Sequence, residues 1–194
     1  KFFDFWSILY NFVLPKDKDV LLIENMGEKD IFESIPMACD FEEKHFKALF
    51  QYKNKLCKKA IWAIKYNGNK NILIKFCKIF YDFIIEDMSE KNIFSPFEKP
   101  LIIPIPMYKD DIKKRGFNQS VLIAEELFKI DQGINFEIEK NILKKIKKTP
   151  HQSSLKNKKD RIKNLDNCFS INNSFIKNRN ILLIDDVITT GKTM

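Results

Sequence analysis

"ILLIDDVITTGKT", residues 181–193, is the stretch whose reading decides the fold. Its first four residues are aliphatic, as a strand covered on both faces requires. Two adjacent carboxylates follow, Asp185 and Asp186, and then Thr189-Thr190-Gly191-Lys192-Thr193. Backbone N–H groups over 188–193 and the three threonine hydroxyls can converge on an anion, and a following helix would point its positive end at the same place. Gly191 lets the backbone come close without a Cβ in the way. Charge-assisted hydrogen bonds of this type contribute about 1.5–3 kcal/mol each. Aspartates repel a phosphate, so they make sense only if the ligand also has hydroxyl donors or a bound metal. A ribose 5-phosphate meets that condition, and acids followed by an anion loop point to a sugar phosphate. The stretch from Asp186 to Thr193 also falls one residue short of the nucleotide-binding pattern G-x-x-x-x-G-K-[ST]. Asp186 stands where the first glycine makes the tight turn, and its charge would face the phosphates.

Outward from this strand the second half of the chain alternates between strand and helix patterns. "LIIPIP" (101–106) is a second continuous apolar run, and residues 118–129 read as a helix, with Val121, Ala124 and Phe128 on one side and Asn118 as its cap. "INFEIEKN" (134–141) alternates like a strand, and "CFSI" (168–171) is a short one. Such alternation predicts a mainly parallel α/β sheet, whose ligands bind at the carboxyl ends of strands. Upstream, Leu56, Ala60, Ile61 and Ile64 recur at helical spacing, as do Ile72, Leu73, Phe76, Phe80, Phe83 and Ile84. "DVLLIEN" (19–25) and "KHFKALFQY" (44–52) read as strands.

The chain's 194 residues, 44% hydrophobic and 31% charged, describe an ordinary folded protein. No apolar run reaches the roughly 20 residues a membrane span needs, so no membrane insertion is expected. The opening "KFFDFWSILYNFVLP" lacks a small-residue cleavage site and is interrupted by Asp4, which argues for an amphipathic packing or docking segment over a signal peptide. Cys39, Cys57, Cys77 and Cys168 form no Cys-x-x-Cys pair, which suggests neither a zinc site nor a disulfide framework and points to a reducing cytoplasm. The net charge of +8 is local: from Lys140 to Lys163 stand ten cations against one acid, Asp160. Residues 144–164, with no strong period and Pro150 among them, read as a mobile loop, and the local basicity suits contact with phosphates of a nucleotide or a nucleic acid.

"IDDVITTGKT" resembles the phosphoribosyl-pyrophosphate (PRPP) signature of type I phosphoribosyltransferases. The likeness extends upstream to one branch, the ComF family of competence proteins. "PIPMYKDDIKKRGFNQSVLIAEEL" is similar to that family's strand, Arg-Gly-Phe-Asn-Gln motif and helix, and "TPHQSSLKNKKDRIKNLDNCFSI" to its spaced Gln152, Leu155, Arg161, Asn164 and Phe169. "YKNKLCKKAIWAIKYNGN" looks like its upstream helix ending in Lys-Tyr-x-Gly. The resemblance covers residues 52–194. It leaves 1–51 as an N-terminal α+β extension, in place of or after the zinc ribbon with which family members usually open, with Cys39 the one possible relic. The family fold continues past the signature into a helix and a further strand, so a domain truncated at its C-terminus is expected.

The resemblance implies an α/β, type I phosphoribosyltransferase-like fold, a mainly parallel sheet flanked by helices. It implies that Asp185 and Asp186 contact the ribose hydroxyls of PRPP and help place Mg²⁺ indirectly. Val187, Thr189, Thr190, Gly191, Lys192 and Thr193 would surround the 5-phosphate. Met107 and Tyr108 fall where such enzymes hold pyrophosphate, with Arg115, Asn118 and Gln119 closing over it, while Gln152 and Arg161 belong to a hood. Asp185, Asp186 and Arg115 are the candidate catalytic groups. At the level of process, the likeness implies a cytoplasmic protein of natural transformation that handles single-stranded DNA with other competence proteins. Lys144, Lys145, Lys147, Lys148, Lys158, Lys159 and Arg161 would form the DNA track. Phe117 and Phe169 could stack on bases, though core packing is the commoner role. The alternative is an active phosphoribosyltransferase of nucleotide or cofactor salvage, acting on a nitrogen acceptor that the sequence does not name.

Overall fold

The two continuous apolar runs lie side by side. In the computed structural model, which describes residues 17–39, 46–90, 99–149, 167–172 and 176–188, β1 (Leu101–Pro104) pairs in parallel with β5 (Ile181–Ile184). The register sets Leu101 opposite Ile181 and Pro104 opposite Ile184. On the other side of β1 lies β2 (Glu137–Ile138), also parallel, giving the order β2-β1-β5. Proline is rarely tolerated in a central strand because it removes a ladder donor. Here β2 pairs only with Leu101 and Ile102, so Pro104 lies beyond the last partner on that side.

Alternation along these strands divides the apolar side chains between two faces. Ile102, Leu182 and Ile184 join a large cluster with three long helices: α3 (Lys55–Asn67), α4 (Lys70–Glu90) and α6 (Gln119–Asp131). Leu101, Ile103, Ile105 and Leu183 face a smaller cluster containing Ile142, Leu143 and Phe169. That second face is covered by an antiparallel pair, β3 (Leu143–Lys145) with β4 (Phe169–Ile171). The basic stretch expected to be loop from residue 144 therefore begins as a strand, because Leu143 is buried and anchors Lys144 and Lys145 into the pair. Residues 150–166 lie outside the described residues.

The N-terminal extension corrects a second expectation. Residues 19–25 form a helix, not a strand: α1 (Lys18–Asn25) is capped by Asp17, whose side chain accepts from the Asp19 N–H at 2.9 Å. Val20 and Ile23, three residues apart, are its buried positions, while Leu21 and Leu22 remain exposed. A four-residue apolar run imitates a strand, but only the i, i+3 pair reaches the core. A second helix, α2 (Glu28–Ser34), comes next. Of the expected strand over 44–52, the described part makes one isolated bridge, Met37 to Phe50. Val20, Ile23, Ile31 and Ile35 belong to the same apolar cluster as α3, α4 and α6. Ion pairs from Lys59 to Asp17 and from Lys55 to Asp19 (2.8 Å) fasten α1 to α3.

Glycines end the two helices that border the carboxyl end of β1. Gly68 closes α3 in the left-handed region (φ 58°), and the Phe117 ring lies 3.5 Å from where a Cβ would stand. Gly116 (φ 89°) closes α5 (Lys109–Arg115), a short helix between β1 and α6. At the far end of α6, Asp131 is buried yet fully engaged, accepting from the Tyr81 hydroxyl and from the backbone N–H groups of Asn135 and Phe136. Among the described residues no helix is long and apolar enough to cross a membrane.

Candidate functional site

The carboxyl ends of β1 and β5 are adjacent, so the turns that leave the two strands meet. Asp185 accepts two hydrogen bonds at Oδ1, from the Ser120 hydroxyl and from the Asp186 N–H, both 2.9 Å. Ser120 is 1% exposed, in the first turn of α6, so the carboxyl is drawn toward that helix's positive end. Burial pushes the Asp185 carboxyl above the ordinary aspartate range; the Ser120 bond and the charges of Lys65 and Lys145 pull in the opposite direction. Asp186 turns toward α3. Its side chain is 5% exposed, and Oδ2 lies 2.7 Å from Lys65 Nζ. The angles fall outside hydrogen-bond range, so this buried oxygen has an ion-pair contact but no hydrogen-bonded partner. Burial lowers the Lys65 pKa, Asp185 raises it, and the Arg115 charge lowers it again.

A second group assembles at the end of β1. Arg115 Nη1 donates to Gln119 Oε1 and approaches Met107 Sδ at 3.6 Å. Its guanidinium lies over the Tyr66 ring, 5.6 Å from the centroid. Arg115 is the last residue of the short helix α5. Asn118 is engaged by the fold: its Nδ2 donates to the Ile105 carbonyl at 2.9 Å, and its Oδ1 caps α6 by accepting from the Ser120 N–H. That pair of bonds pins the start of α6 to the end of β1, which is why Ser120 reaches Asp185. Three of the expected pyrophosphate residues, Met107, Arg115 and Gln119, are brought together, and Tyr108 caps α5 beside them.

Behind the acids a mainly apolar cavity of about 140 Å³ is lined by Phe50, Phe76, Phe80, Leu183, Asp185 and Ile188, among others. Cys57 and Cys77 border it too, their thiols pushed up by burial to about 11 and about 12, so both are inert hydrophobes at neutral pH. Val187 and Ile188 continue the acid turn; Thr189, Thr190, Gly191, Lys192 and Thr193 lie outside the described residues, as do Gln152, Lys158, Lys159 and Arg161. Lys144, Lys147 and Lys148 are exposed on the β3 side, with Lys148 3.8 Å from Asp110. Lys145 sits over the Phe169 ring at 6.0 Å, and Phe169 packs in the smaller cluster.

Two known proteins resemble this chain. It is 38% identical over 95 residues to Competence protein F of Haemophilus influenzae, a match covering 48% of this chain and 40% of that protein. It is 29% identical over 142 residues to Competence protein ComFC of Bacillus subtilis, covering 73% of this chain and 51% of that one. The two matches support assigning the chain to the ComF family. It spans about half the length of these curated relatives, or less. No protein-family model matches the chain, and no solved structure shows a significant match.

Three side chains of this site were not picked out as site residues from sequence: Lys65, Tyr66 and Ser120. Lys65 and Tyr66 stand in the Lys-Tyr-x-Gly helix end, but a lysine in a helix's last turn is ordinary dipole compensation. Ser120 is one polar residue at a helix start and is joined to Asp185 across 65 positions. Only the shared strand ends reveal the connection.

Proposed function

We propose that this ComF-family chain acts in natural transformation, handling incoming single-stranded DNA in the cytoplasm together with other competence proteins, and that it binds PRPP at the strand ends. The observation that carries the PRPP reading is the convergence on one spot of an acid pair, the start of α6 and an arginine from the end of α5. Carboxylates accept hydrogen bonds from vicinal hydroxyls; Asp185, drawn toward Ser120, and Asp186, drawn toward Lys65, suit the two hydroxyls of a ribose ring. Arg115 presents the planar fork that suits pyrophosphate oxygens, and Gln119 and Met107 hold it in place. The 5-phosphate then belongs to the Thr-Thr-Gly-Lys-Thr turn.

Mg²⁺ fits this donor set in one way. Among the described residues no three His, Cys, Asp or Glu side chains cluster, so these residues offer no cage. Two carboxylates can steady a Mg²⁺ that arrives already bound to a polyphosphate, its usual mode of binding. When bound, it would neutralise charge on the pyrophosphate.

A second reading, transfer of the phosphoribosyl group to a nitrogen acceptor, is favoured by the apolar cavity that opens against the same acids. In that case the acceptor nitrogen attacks C1 of the ribose as the C1–O bond to pyrophosphate breaks, and the acceptor's proton leaves to solvent. Catalysis would rest on positioning and on charge neutralisation at the leaving group.

Thermal-shift titration with PRPP and Mg²⁺ tests the site. A hundredfold excess over Kd should stabilise the protein by about 2.7 kcal/mol, and Asp185→Ala should abolish the shift. No shift with the wild-type chain removes the PRPP reading. Pyrophosphate release with candidate amines and bases separates enzyme from binding protein. Replacing the chromosomal copy by the Asp185→Ala form and counting transformants tests the process: a wild-type count contradicts the need for the site.

A further inference from the structure

Two large aromatic side chains stand outside both apolar clusters. Trp62 is 49% and Tyr66 62% exposed. At i and i+4 they share one face of α3, with ring centroids 5.7 Å apart at 41°. Lone exposed apolar residues are ordinary, but a contacting Trp–Tyr pair offers a continuous aromatic surface. Its surroundings are cationic. Lys58, one turn before Trp62, is exposed on the same stripe; Arg115 covers the Tyr66 ring; and the exposed Lys113 and Lys114 sit in the same last turn of α5 as Arg115. A partner that buried apolar side chains here would have to strip water from these cations. A polyanion that also presents flat π faces satisfies both halves of the surface.

We infer that the Trp62–Tyr66 face of α3 is a base-stacking platform for single-stranded DNA, deepening the transformation reading on which it rests. Every base has a π face, so stacking tolerates any sequence, while phosphates find the flanking lysines. Phe117 and Phe169 take the packing role that was the commoner expectation for them, Phe117 against Gly68 and Phe169 in the sheet's second cluster. Arg115 belongs to both surfaces, holding Gln119 on one side and Tyr66 on the other. A strand on the platform therefore passes the mouth of the acid site.

Fluorescence anisotropy with a labelled oligothymidylate tests this on the full chain. Trp62→Ala should weaken binding about tenfold, the size of a single base–aromatic stack, and Trp62→Phe should recover most of it. The PRPP-induced thermal shift should be the same in all three, since Lys65 is the α3 side chain that pairs with the acids. In a Trp6→Phe background Trp62 is the only tryptophan, and saturating DNA should quench its emission. That measurement stands even if Trp62→Ala fails to fold. If the wild-type chain binds the oligomer, but Trp62→Ala binds equally well or the emission is unmoved, the platform is wrong while the transformation reading survives. If the wild-type chain binds no single-stranded DNA, the DNA part of that reading falls too, and the platform with it.

Discussion

The strand ends that carry the acids and the β3–β4 pair that carries the lysines flank one sheet, yet they hold their charges in opposite ways. At the strand ends the groups are few, and each has an assigned neighbour: Ser120 and the Asp186 N–H on Asp185, Lys65 on Asp186, Gln119 and Tyr66 on Arg115. Across the sheet, Lys144, Lys147 and Lys148 stand in water, and the ion pair of Lys148 with Asp110 joins side chains 55% and 42% exposed. Such a pair contributes at most about 1 kcal/mol. The first arrangement suits one small ligand in one orientation; the second attracts any polyanion and selects none. Lys145 links the two, since its charge is felt at Asp185.

If that contrast is real, mutations should divide along it. The largest effect belongs to Lys65. Lys65→Ala leaves the Asp186 carboxylate buried without its counter-charge, and urea unfolding should show a loss of about 3 kcal/mol, the low end for a buried pair. The double variant Lys65→Met/Asp186→Leu should recover most of that loss. A single-variant loss under about 1 kcal/mol would mean the pair is as loose as a surface one, and the contrast breaks.

Next comes ligand affinity. Ser120→Ala removes a bond that favours the charged form of Asp185, so calorimetry should show PRPP binding weakened about tenfold, one charge-assisted bond's worth. Replacing Lys144, Lys145, Lys147 and Lys148 by Gln sharpens the comparison from the other side. Stability should change little for the exposed positions, while the salt slope of single-stranded DNA binding flattens by about 3, at roughly 0.7 for each phosphate no longer neutralised.

The smallest effect is a pH signature. Because the folded-state pKa of Asp185 is raised, its contribution to stability is present at low pH and lost as pH rises through that folded value. At neutral pH the ionised group therefore weakens the fold. Asp185→Asn keeps an acceptor for Ser120 and removes the charge, so it should raise the melting temperature at pH 7. Below about pH 3.9, where the carboxyl is neutral in both states, the gain should vanish. PRPP binding by the wild-type chain should in turn weaken on acidification at a pH above that of an ordinary aspartate.

Much of this frame was legible in the residues. β1 and β5 are aliphatic runs of the kind a doubly covered strand requires, and α3, α4 and α6 announce themselves by spacing and, in α6, by the Asn118 cap. The acid pair was legible for the same local reason. The features that escaped depend on distance along the chain. Val20 and Ile23 carry the helical spacing of α1, but Leu21 and Leu22, which point to solvent, fill the gap between them and imitate a strand. Leu143 pulls the start of the basic stretch into a strand pair whose partner lies at Phe169–Ile171. Lys65 and Ser120 acquire their meaning only when β5 brings the acids between α3 and α6. Local patterns reveal elements; they do not reveal which side chains two remote elements bring face to face.

The most direct test is a crystal structure of the chain grown with PRPP and Mg²⁺. The ribose hydroxyls should then lie on Asp185 and Asp186, with the pyrophosphate beneath Arg115. Ligand density among the exposed lysines of β3, with the strand ends left empty, would contradict the proposed site.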